Sequence, residues 1–219
     1  MGAIIQDIDS IWFIDFEYVS EVGERPDVVC LVAINSVTGE GIRLWREQLK
    51  QRTKAPFDTG HRSLIVMYYG PAEMGCFHAL GWSIPERMID LFAEFRVKTN
   101  GHRDVFGRGA SNSLLGAMKY YGLTSLAASE KTEMRDLVLG GGPWSDQEQQ
   151  DILDYCESDV QALSQLWGCM AGDIGTTMAR FRQALFRGQF GAAIAFMEHN
   201  GVPIDIKKLA LLKEHWGHI

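Results

Sequence analysis

The sequence predicts a mixed α/β domain, because strand-like segments fill its first third and helical periodicity fills most of the remainder. Residues 10–18 and 27–35 are rich in the β-branched and aromatic side chains that favour strands. From Ser145 onward, apolar residues recur at the spacing of a helix. Strands followed by helices that cover an apolar sheet are typical of α/β and α+β domains.

The strands are expected to form an antiparallel meander followed by two further strands. They lie, in order, at residues 10–18, 27–35, around 42–46, 63–69 and 88–91. A turn at Thr38-Gly39 separates the second strand from the third. Gly70-Pro71 predicts the start of a helix after the fourth strand, because proline is favoured in the first helical turn, and this helix ends near Gly81.

Several helices follow. They are predicted at residues 113–121, between 125 and 139, and at 145–170, 173–186, 189–199 and 205–217. Ser145 followed by Glu148 fits a capping box at the start of the longest helix. We expect residues 1–171 to form the main domain and residues 172–219 a C-terminal helical extension.

Size, charge and cysteine content limit the class of protein. The chain has 219 residues, of which 46% are hydrophobic, and this suits one compact domain with a small extension. No apolar run approaches the roughly 20 residues that span a bilayer. Four isolated cysteines in apolar segments indicate reduced core residues of a cytoplasmic protein. A net charge of −7 argues against a general nucleic-acid-coating surface, but not against a metal-dependent enzyme that acts on nucleic acid.

Two acidic residues, Asp15 and Glu17, interrupt the apolar first strand. Side chains alternate between the faces of a strand, so both carboxylates project from one face, and Ile14 and Phe16 from the other. Burying carboxylates is costly unless a counter-charge or a metal is present. The pair therefore indicates a divalent cation site; the alternative is an edge strand with a solvated acidic face.

Two helices add further acids to apolar faces. In the longest helix, Asp159 stands in the core-facing stripe, with Tyr155 one turn earlier on the same face. Glu73 lies in the first turn of the helix after the fourth strand and shares a face with Cys76 and Phe77. Two-metal nucleases use such carboxylates, together with substrate phosphate, to hold two ions about 3.5–4 Å apart. A tyrosine hydroxyl can orient the attacking water.

Two segments carry a family resemblance. Phe13-Ile14-Asp15-Phe16-Glu17 has the form Asp-x-Glu on a first strand, and Tyr155-Cys156-Glu157-Ser158-Asp159 has the form Tyr-x-x-x-Asp on a late helix. Most of residues 10–170 thereby resembles the tyrosine-bearing branch of the DEDD superfamily of 3′–5′ exonucleases. The resemblance implies a ribonuclease-H-like, mixed five-stranded sheet flanked by helices, and hydrolysis of DNA from the 3′ end to nucleoside 5′-monophosphates.

The second motif departs from the family pattern. The family carries an aspartate in the helix after the fourth strand, where this chain has Glu73 in Tyr69-Gly70-Pro71-Ala72-Glu73. The glutamate carboxylate reaches ~1.5 Å further. Asp90 is the alternative ligand, although the spacing from Gly81 to Asp90 favours Glu73.

The resemblance also implies a cofactor and a partner. Two divalent ions, Mg²⁺ or Mn²⁺, would bind: Asp15, Glu17 and Asp159 hold the ion that activates water, and Asp15 with Glu73 the ion that stabilises the leaving oxygen. Tyr155 would position the nucleophile. The partner is a single-stranded DNA 3′ end, and RNA is the alternative substrate. Contacts to the strand are expected from Tyr18, Val19, Phe77, Arg62 and Arg103.

The C-terminal part has a resemblance of its own. Asn200-Gly201 predicts a helix end, and Asp205 predicts the cap of the next helix. Residues 192–205, which include Met197-Glu198-His199-Asn200-Gly201-Val202-Pro203-Ile204-Asp205, resemble the connector after the exonuclease domain of family A DNA polymerases. This implies the N-terminal part of a DNA polymerase I-like protein, with a polymerase domain beyond residue 219.

Two alternative functions stay open. One is an exoribonuclease like ribonuclease D, against which the polymerase-like connector argues. The other is a degenerate exonuclease domain that serves as a scaffold or DNA-binding module. The four acidic positions and Tyr155 argue against loss of activity, because degenerate domains typically lose several carboxylates.

Overall fold

The computed structural model describes residues 7–21, 23–100, 111–123 and 128–218. The strands are β1 (Ser10–Val19), β2 (Asp27–Asn35), β3 (Gly41–Trp45), β4 (Ser63–Met67) and β5 (Met88–Asp90). The helices are α1 (Arg46–Lys50), α2 (Gly70–Ala79), α3 (Leu91–Thr99), α4 (Leu114–Tyr120), α5 (Ala128–Leu139), α6 (Asp146–Ile174), α7 (Met178–Asn200) and α8 (Ile206–His215).

A five-stranded mixed sheet forms the centre of the fold, in the order β3-β2-β1-β4-β5. The β1–β2 and β2–β3 pairs are antiparallel, and the β1–β4 and β4–β5 pairs are parallel. With its flanking helices, this sheet confirms the predicted α/β fold and is consistent with a ribonuclease-H-like architecture. Because β1 is the central strand, the alternative that Asp15 and Glu17 lie on a solvated edge strand is wrong.

Apolar side chains fill both faces of the sheet. On one face, Phe13 of β1 lies in a buried cluster with Val160 and Leu163 of α6. On the other face, Ile14 and Phe16 lie in a second cluster with residues of α2. The alternation of β1 therefore directs Asp15 and Glu17 toward α6.

Helix α6 begins as the sequence predicts. The Ser145 hydroxyl accepts a hydrogen bond from the Glu148 amide at 3.3 Å, and the Glu148 carboxylate accepts one from the Ser145 amide at 2.7 Å. Arg43 of β3 pairs with Glu157 at 2.6 Å and also with Asp154, which ties α6 to the sheet. The helix runs to Ile174, so it crosses the predicted boundary between residues 171 and 172.

Helix α7 corrects a prediction. The stretches expected at 173–186 and 189–199 are replaced by one continuous helix from Met178 to Asn200. Gly188, which lies between the two predicted stretches, sits where α7 crosses β5, and a Cβ there would be 2.3 Å from the Met88 carbonyl oxygen. The glycine permits close packing and does not end the helix. The first half of α7 packs into the core on the α6 side of the sheet through Phe181 and Ala184. The second half packs into the core on the α2 side through Ala192 and Ala195.

The end of α7 and the start of α8 agree with the prediction. Gly201 follows α7 with φ 68°, and the Asp205 carboxylate accepts a hydrogen bond from the Lys208 amide at 3.1 Å. Helix α8 has no buried residue. Within the parts of the chain that the structure describes, no helix is long and apolar enough to cross a membrane.

Candidate metal centre

Asp15 and Glu17 lie close to Cys156 of α6. One potential ligand atom from each of the three side chains lies within 4.8 Å of the others. The Cys156 thiol donates to the Asp15 carbonyl oxygen and to Asp15 Oδ2, both at 3.3 Å. The pairing of β1 with β2 shifts register between Glu17 and Tyr18, which is a bulge of the kind often found beside functional sites.

Glu73 approaches β1 from α2. Its Oε2 accepts a hydrogen bond from the Phe16 amide at 3.1 Å, and the residue is only 4% exposed. The β1–β4 pairing ends at Phe13 and Val66, so the Phe16 amide lies beyond that ladder and takes Glu73 as its partner. The structure thus brings Glu73 to the backbone between Asp15 and Glu17.

Asp90, the alternative second-motif residue, has a different environment. Its carboxylate accepts hydrogen bonds from the amides of Tyr69, Gly70 and Phe92, each at 2.9 Å. It caps α3 and fixes the connection from β4 into α2, where Tyr69 adopts φ 75°, a left-handed conformation that is uncommon outside glycine. Of the two candidate residues, Glu73 is the one that contacts β1.

Asp159 lies one turn beyond Tyr155 on α6 and forms an ion pair with Lys131 of α5. The Lys131 and Asp159 side chains are 12% and 14% exposed. Lys131 Nζ also lies 5.8 Å from the centre of the Tyr155 ring. Sequence reasoning missed Lys131, because a single lysine 28 residues before Asp159, in a polar segment, stands out neither by type nor by spacing.

The carboxylates raise one another's pKa. Burial, followed by the negative charge of Asp159, raises the pKa of Asp15 to about 8. Burial, followed by the charge of Asp15, raises the pKa of Glu17 and of Glu73 well above the usual value. Burial also raises the pKa of Asp159, although the charge of Lys131 opposes this. Desolvated carboxylates that repel one another are typical of functional sites.

The donor set fits a hard divalent cation. Mg²⁺ and Mn²⁺ prefer oxygen ligands, and Asp15 and Glu17 of β1 offer them beside Cys156. Glu73 and Asp159 lie within electrostatic reach of Asp15. Burial raises the pKa of the Cys156 thiol, so this group stays protonated and donates to Asp15. A bound cation would stabilise the ionised form of these carboxyl groups, whose pKa values burial and mutual repulsion raise.

A cavity of about 360 Å³ opens beside the acids. Glu17 and Tyr155 line it, together with Arg135 and Leu139 of α5. Burial, followed by the charge of Asp159, raises the pKa of Tyr155, so its hydroxyl is neutral. Arg135 is exposed on the cavity wall and is a second residue that sequence reasoning missed.

Two of the predicted strand contacts lie next to the site on opposite faces of β1. Tyr18 packs toward the α2 side and lines a smaller cavity of about 120 Å³ with Arg25 and His199. Burial raises the pKa of Tyr18 to about 12. Val19 packs against the core on the α6 side.

The prediction that Phe77 contacts a base is wrong. Its ring is 0% exposed and packs edge-on against Phe16 and Trp82, with centroid distances of 5.8 and 5.5 Å. Helix α2 is covered by the sheet and by α7, so the face that carries Phe77 belongs to the core.

Arg62 lies away from the acidic side chains, and its contact with the nucleic-acid strand stays a prediction. Arg62 pairs with Asp9, and its carbonyl oxygen accepts from the Asp9 amide at 2.7 Å, at the amino end of β1. Asp15 lies six residues further along the strand, roughly 20 Å away at about 3.3 Å per residue. Arg103, the other predicted basic contact, lies outside the described residues.

The candidate metal centre therefore consists of side chains from three elements: Asp15, Glu17, Glu73, Tyr155 and Asp159. Lys131 and Arg135 of α5 supply positive charge beside it. Neither a protein-family model nor a curated protein sequence matches the chain.

Proposed function

We propose that this protein is a metal-dependent 3′–5′ exonuclease that removes nucleotides from single-stranded or frayed DNA ends. The observation that carries the proposal is the cluster of Asp15 and Glu17 beside Cys156 of α6, with Glu73 of α2 bonded to the β1 backbone and Asp159 of α6 within electrostatic reach of Asp15. Asp159 raises the pKa of Asp15, and Asp15 raises that of Glu73, so these groups lie within electrostatic reach of one another. The resemblance to the DEDD exonucleases adds support.

The proposal assigns a role to each side chain. Asp15, Glu17 and Asp159 would hold one Mg²⁺ or Mn²⁺, and Asp15 with Glu73 a second. The bound ions would supply Lewis-acid stabilisation of the attacking and leaving oxygens. The neutral Tyr155 hydroxyl orients the water that attacks phosphorus. The bond from phosphorus to the 3′-oxygen breaks, which leaves a nucleoside 5′-monophosphate and a shortened strand.

Arg135 is the cation that we propose for substrate phosphate. It is exposed and lines the same cavity as Glu17 and Tyr155, and strand binding generally combines such charges with apolar walls. Arg135→Ala is expected to raise KM more than it lowers kcat, since a phosphate contact away from the reacting atoms contributes to binding in general.

The decisive experiment is digestion of 5′-labelled single-stranded DNA and RNA of one sequence, with Mg²⁺ or with Mn²⁺. A ladder that shortens from the 3′ end supports the proposal, and Asp15→Asn and Asp159→Asn should abolish it. Asp154→Asn is the matched control, because it removes an exposed acid from the same helix. Full activity in Asp159→Asn would contradict the assignment, and cleavage of RNA alone would favour the exoribonuclease.

A narrower proposal, that the domain proofreads for a family A polymerase, rests on the connector-like residues 192–205. A proofreading nuclease degrades a mismatched 3′ end faster than a paired one, because the mismatched end frays more readily. Rates on matched and mismatched primer–template ends test this. Equal rates on the two ends would count against proofreading.

The second candidate function is a DNA-binding or scaffold module without catalysis. The ion pair between Lys131 and Asp159 favours it, because a lysine that permanently replaces the cation would leave the acids without a metal. In that case neither Mg²⁺ nor Mn²⁺ raises the Tm of the wild-type protein, whereas a metal that binds the folded state must raise it.

A further inference from the structure

Lys131 places its ammonium group beside the acidic cluster, by which we mean Asp15, Glu17, Glu73 and Asp159. The group pairs with Asp159 and lies over the Tyr155 ring, and its charge opposes the rise in pKa that burial causes at Asp15 and Glu17. The position therefore combines contact with one carboxylate and electrostatic reach to two others. A bound divalent cation would have these same neighbours.

The burial of this lysine separates it from the other lysine–carboxylate pairs described. Lys98 pairs with Asp173, and their side chains are 44% and 51% exposed. Lys208 pairs with Asp205, at 85% and 52%. Exposed pairs of that kind contribute little to stability. Desolvating an ammonium group, as at Lys131, is costly unless it balances a buried negative charge.

We propose that Lys131 is a built-in counter-ion, which occupies the cation position of the acidic cluster in the metal-free protein and withdraws from Asp159 when a metal binds. This inference rests on the proposed metal-dependent function. Lys131 is paired with Oδ1 of Asp159, and a divalent cation bound to the same carboxylate would repel the ammonium group at short range, so metal binding favours withdrawal of Lys131. The cost of that displacement lowers metal affinity, and the charge of Lys131 stabilises the metal-free fold.

The first test is the affinity for Mn²⁺, measured by electron paramagnetic resonance on the whole, chelator-stripped protein. Lys131→Met removes the charge but keeps the length of the side chain, and we expect it to bind Mn²⁺ at least about tenfold more tightly. Lys98→Met is the matched control, because it removes the same charge from an exposed pair, and its affinity should equal that of wild type. Equal affinities for Lys131→Met and wild type would overturn the proposal.

The second test needs no substitution and so does not depend on how a variant folds. An amine-reactive reagent is applied to the wild-type protein with and without Mn²⁺, and the modification of each lysine is measured by mass spectrometry. Mn²⁺ should increase the labelling rate of Lys131, since the withdrawn side chain becomes exposed, and leave that of Lys98 unchanged. An unchanged rate at Lys131 in protein that binds Mn²⁺ would overturn the proposal.

The two proposals fail in different ways. If wild type hydrolyses DNA but binds Mn²⁺ with the same affinity as Lys131→Met, the counter-ion role of Lys131 is refuted and the exonuclease proposal is supported. If Lys131→Met binds Mn²⁺ more tightly than wild type but no form of the protein hydrolyses DNA, the exonuclease proposal is refuted and the counter-ion role of Lys131 is supported.

Discussion

The Glu73 carboxylate accepts a hydrogen bond from the Phe16 amide at 3.1 Å, and so joins α2 to the strand that carries Asp15 and Glu17. Glu73 starts on the α2 side of the sheet, whereas the two β1 acids face α6. A glutamate, where the exonucleases that the sequence resembles carry an aspartate, therefore has a local reason: its additional ~1.5 Å of reach lets it meet the strand beyond the end of the β4 ladder.

Glu73→Gln should separate the structural role of this residue from its charge. The amide oxygen of glutamine can still accept from Phe16, so we expect the free energy of unfolding to change by less than about 1 kcal/mol, whereas the proposed exonuclease activity should fall at least about tenfold. Glu73→Asp should instead lose the hydrogen bond and about 1–2 kcal/mol of stability. Urea denaturation and digestion assays measure the two effects, and an aspartate variant more stable than the glutamine variant would contradict this account.

Asp90→Ala should impair folding and leave the chemistry of the folded protein intact. The substitution leaves the amides of Tyr69, Gly70 and Phe92 without their acceptor, at an expected cost of about 2–4 kcal/mol. Asp58→Ala is the control, since Asp58 is exposed and accepts from one amide, that of Gly60. If Asp90→Asn kept full stability but lost Mn²⁺ binding, Asp90 would replace Glu73 as the ligand.

The parts of the fold and site that the sequence predicts are those with a local signal. Asp15 and Glu17 stand out because they interrupt an apolar strand, and the alternation of that strand fixes their common face. Asp159 stands out because it lies in the core-facing apolar stripe of α6. Ser145 stands out because Glu148 follows it at the spacing of a capping box. Each of these predictions depends only on neighbours within a few residues.

The parts that could not be predicted depend on tertiary contacts. Arg62 lies in a basic stretch, but composition does not say at which end of the sheet that stretch emerges. Phe77 is buried because α7 covers α2, and α7 lies about a hundred residues further along the chain. Lys131 meets Asp159 through the packing of α5 on α6, and the sequence does not show which residue of α6 a lysine of α5 will meet.

The cysteines give a test of the packing around the site. Cys30, Cys76 and Cys156 are buried and Cys169 is exposed, so the expectation that all four lie in the core is wrong for Cys169. Burial raises the pKa of Cys76 and of Cys156, which lowers their thiolate fraction further. Ellman's reagent should therefore label Cys169 in the native protein and all four thiols after denaturation. Rapid native labelling of Cys156 would contradict the buried contact between its thiol and Asp15.

A pair of histidines predicts a loss of stability at mildly acidic pH. His78 of α2 and His199 of α7 have ring centres 5.3 Å apart, and burial lowers the pKa of both. The charge of His199 lowers the pKa of His78 further, and that of Arg25 lowers the pKa of His199. The unfolded state, with a histidine pKa near 6.5, then binds more protons than the folded state just below that pH. The contribution of this histidine pair to the free energy of unfolding should therefore fall as the pH drops through about 6.5.

The measurement compares the Tm of wild type and of His78→Gln between about pH 7.5 and pH 5. The Tm of wild type should fall over this range relative to that of His78→Gln, which lacks one of the two titrating rings. His61→Gln is the control, because His61 is exposed, and it should follow wild type. Parallel curves for wild type and His78→Gln would show that this pair does not set the pH dependence.

Gly188→Ala should destabilise the protein by about 2–4 kcal/mol. The added Cβ would lie 2.3 Å from the Met88 carbonyl oxygen, so the backbones of α7 and β5 would have to separate. Gly168→Ala is the matched control: it also replaces a helical glycine, but on the exposed side of α6 with no atom within 4 Å, and it should gain about 1 kcal/mol. Urea denaturation of both variants measures the difference. A Gly188→Ala variant as stable as wild type would mean that α7 does not lie against β5, and residues 172–219 would then be separable from the sheet.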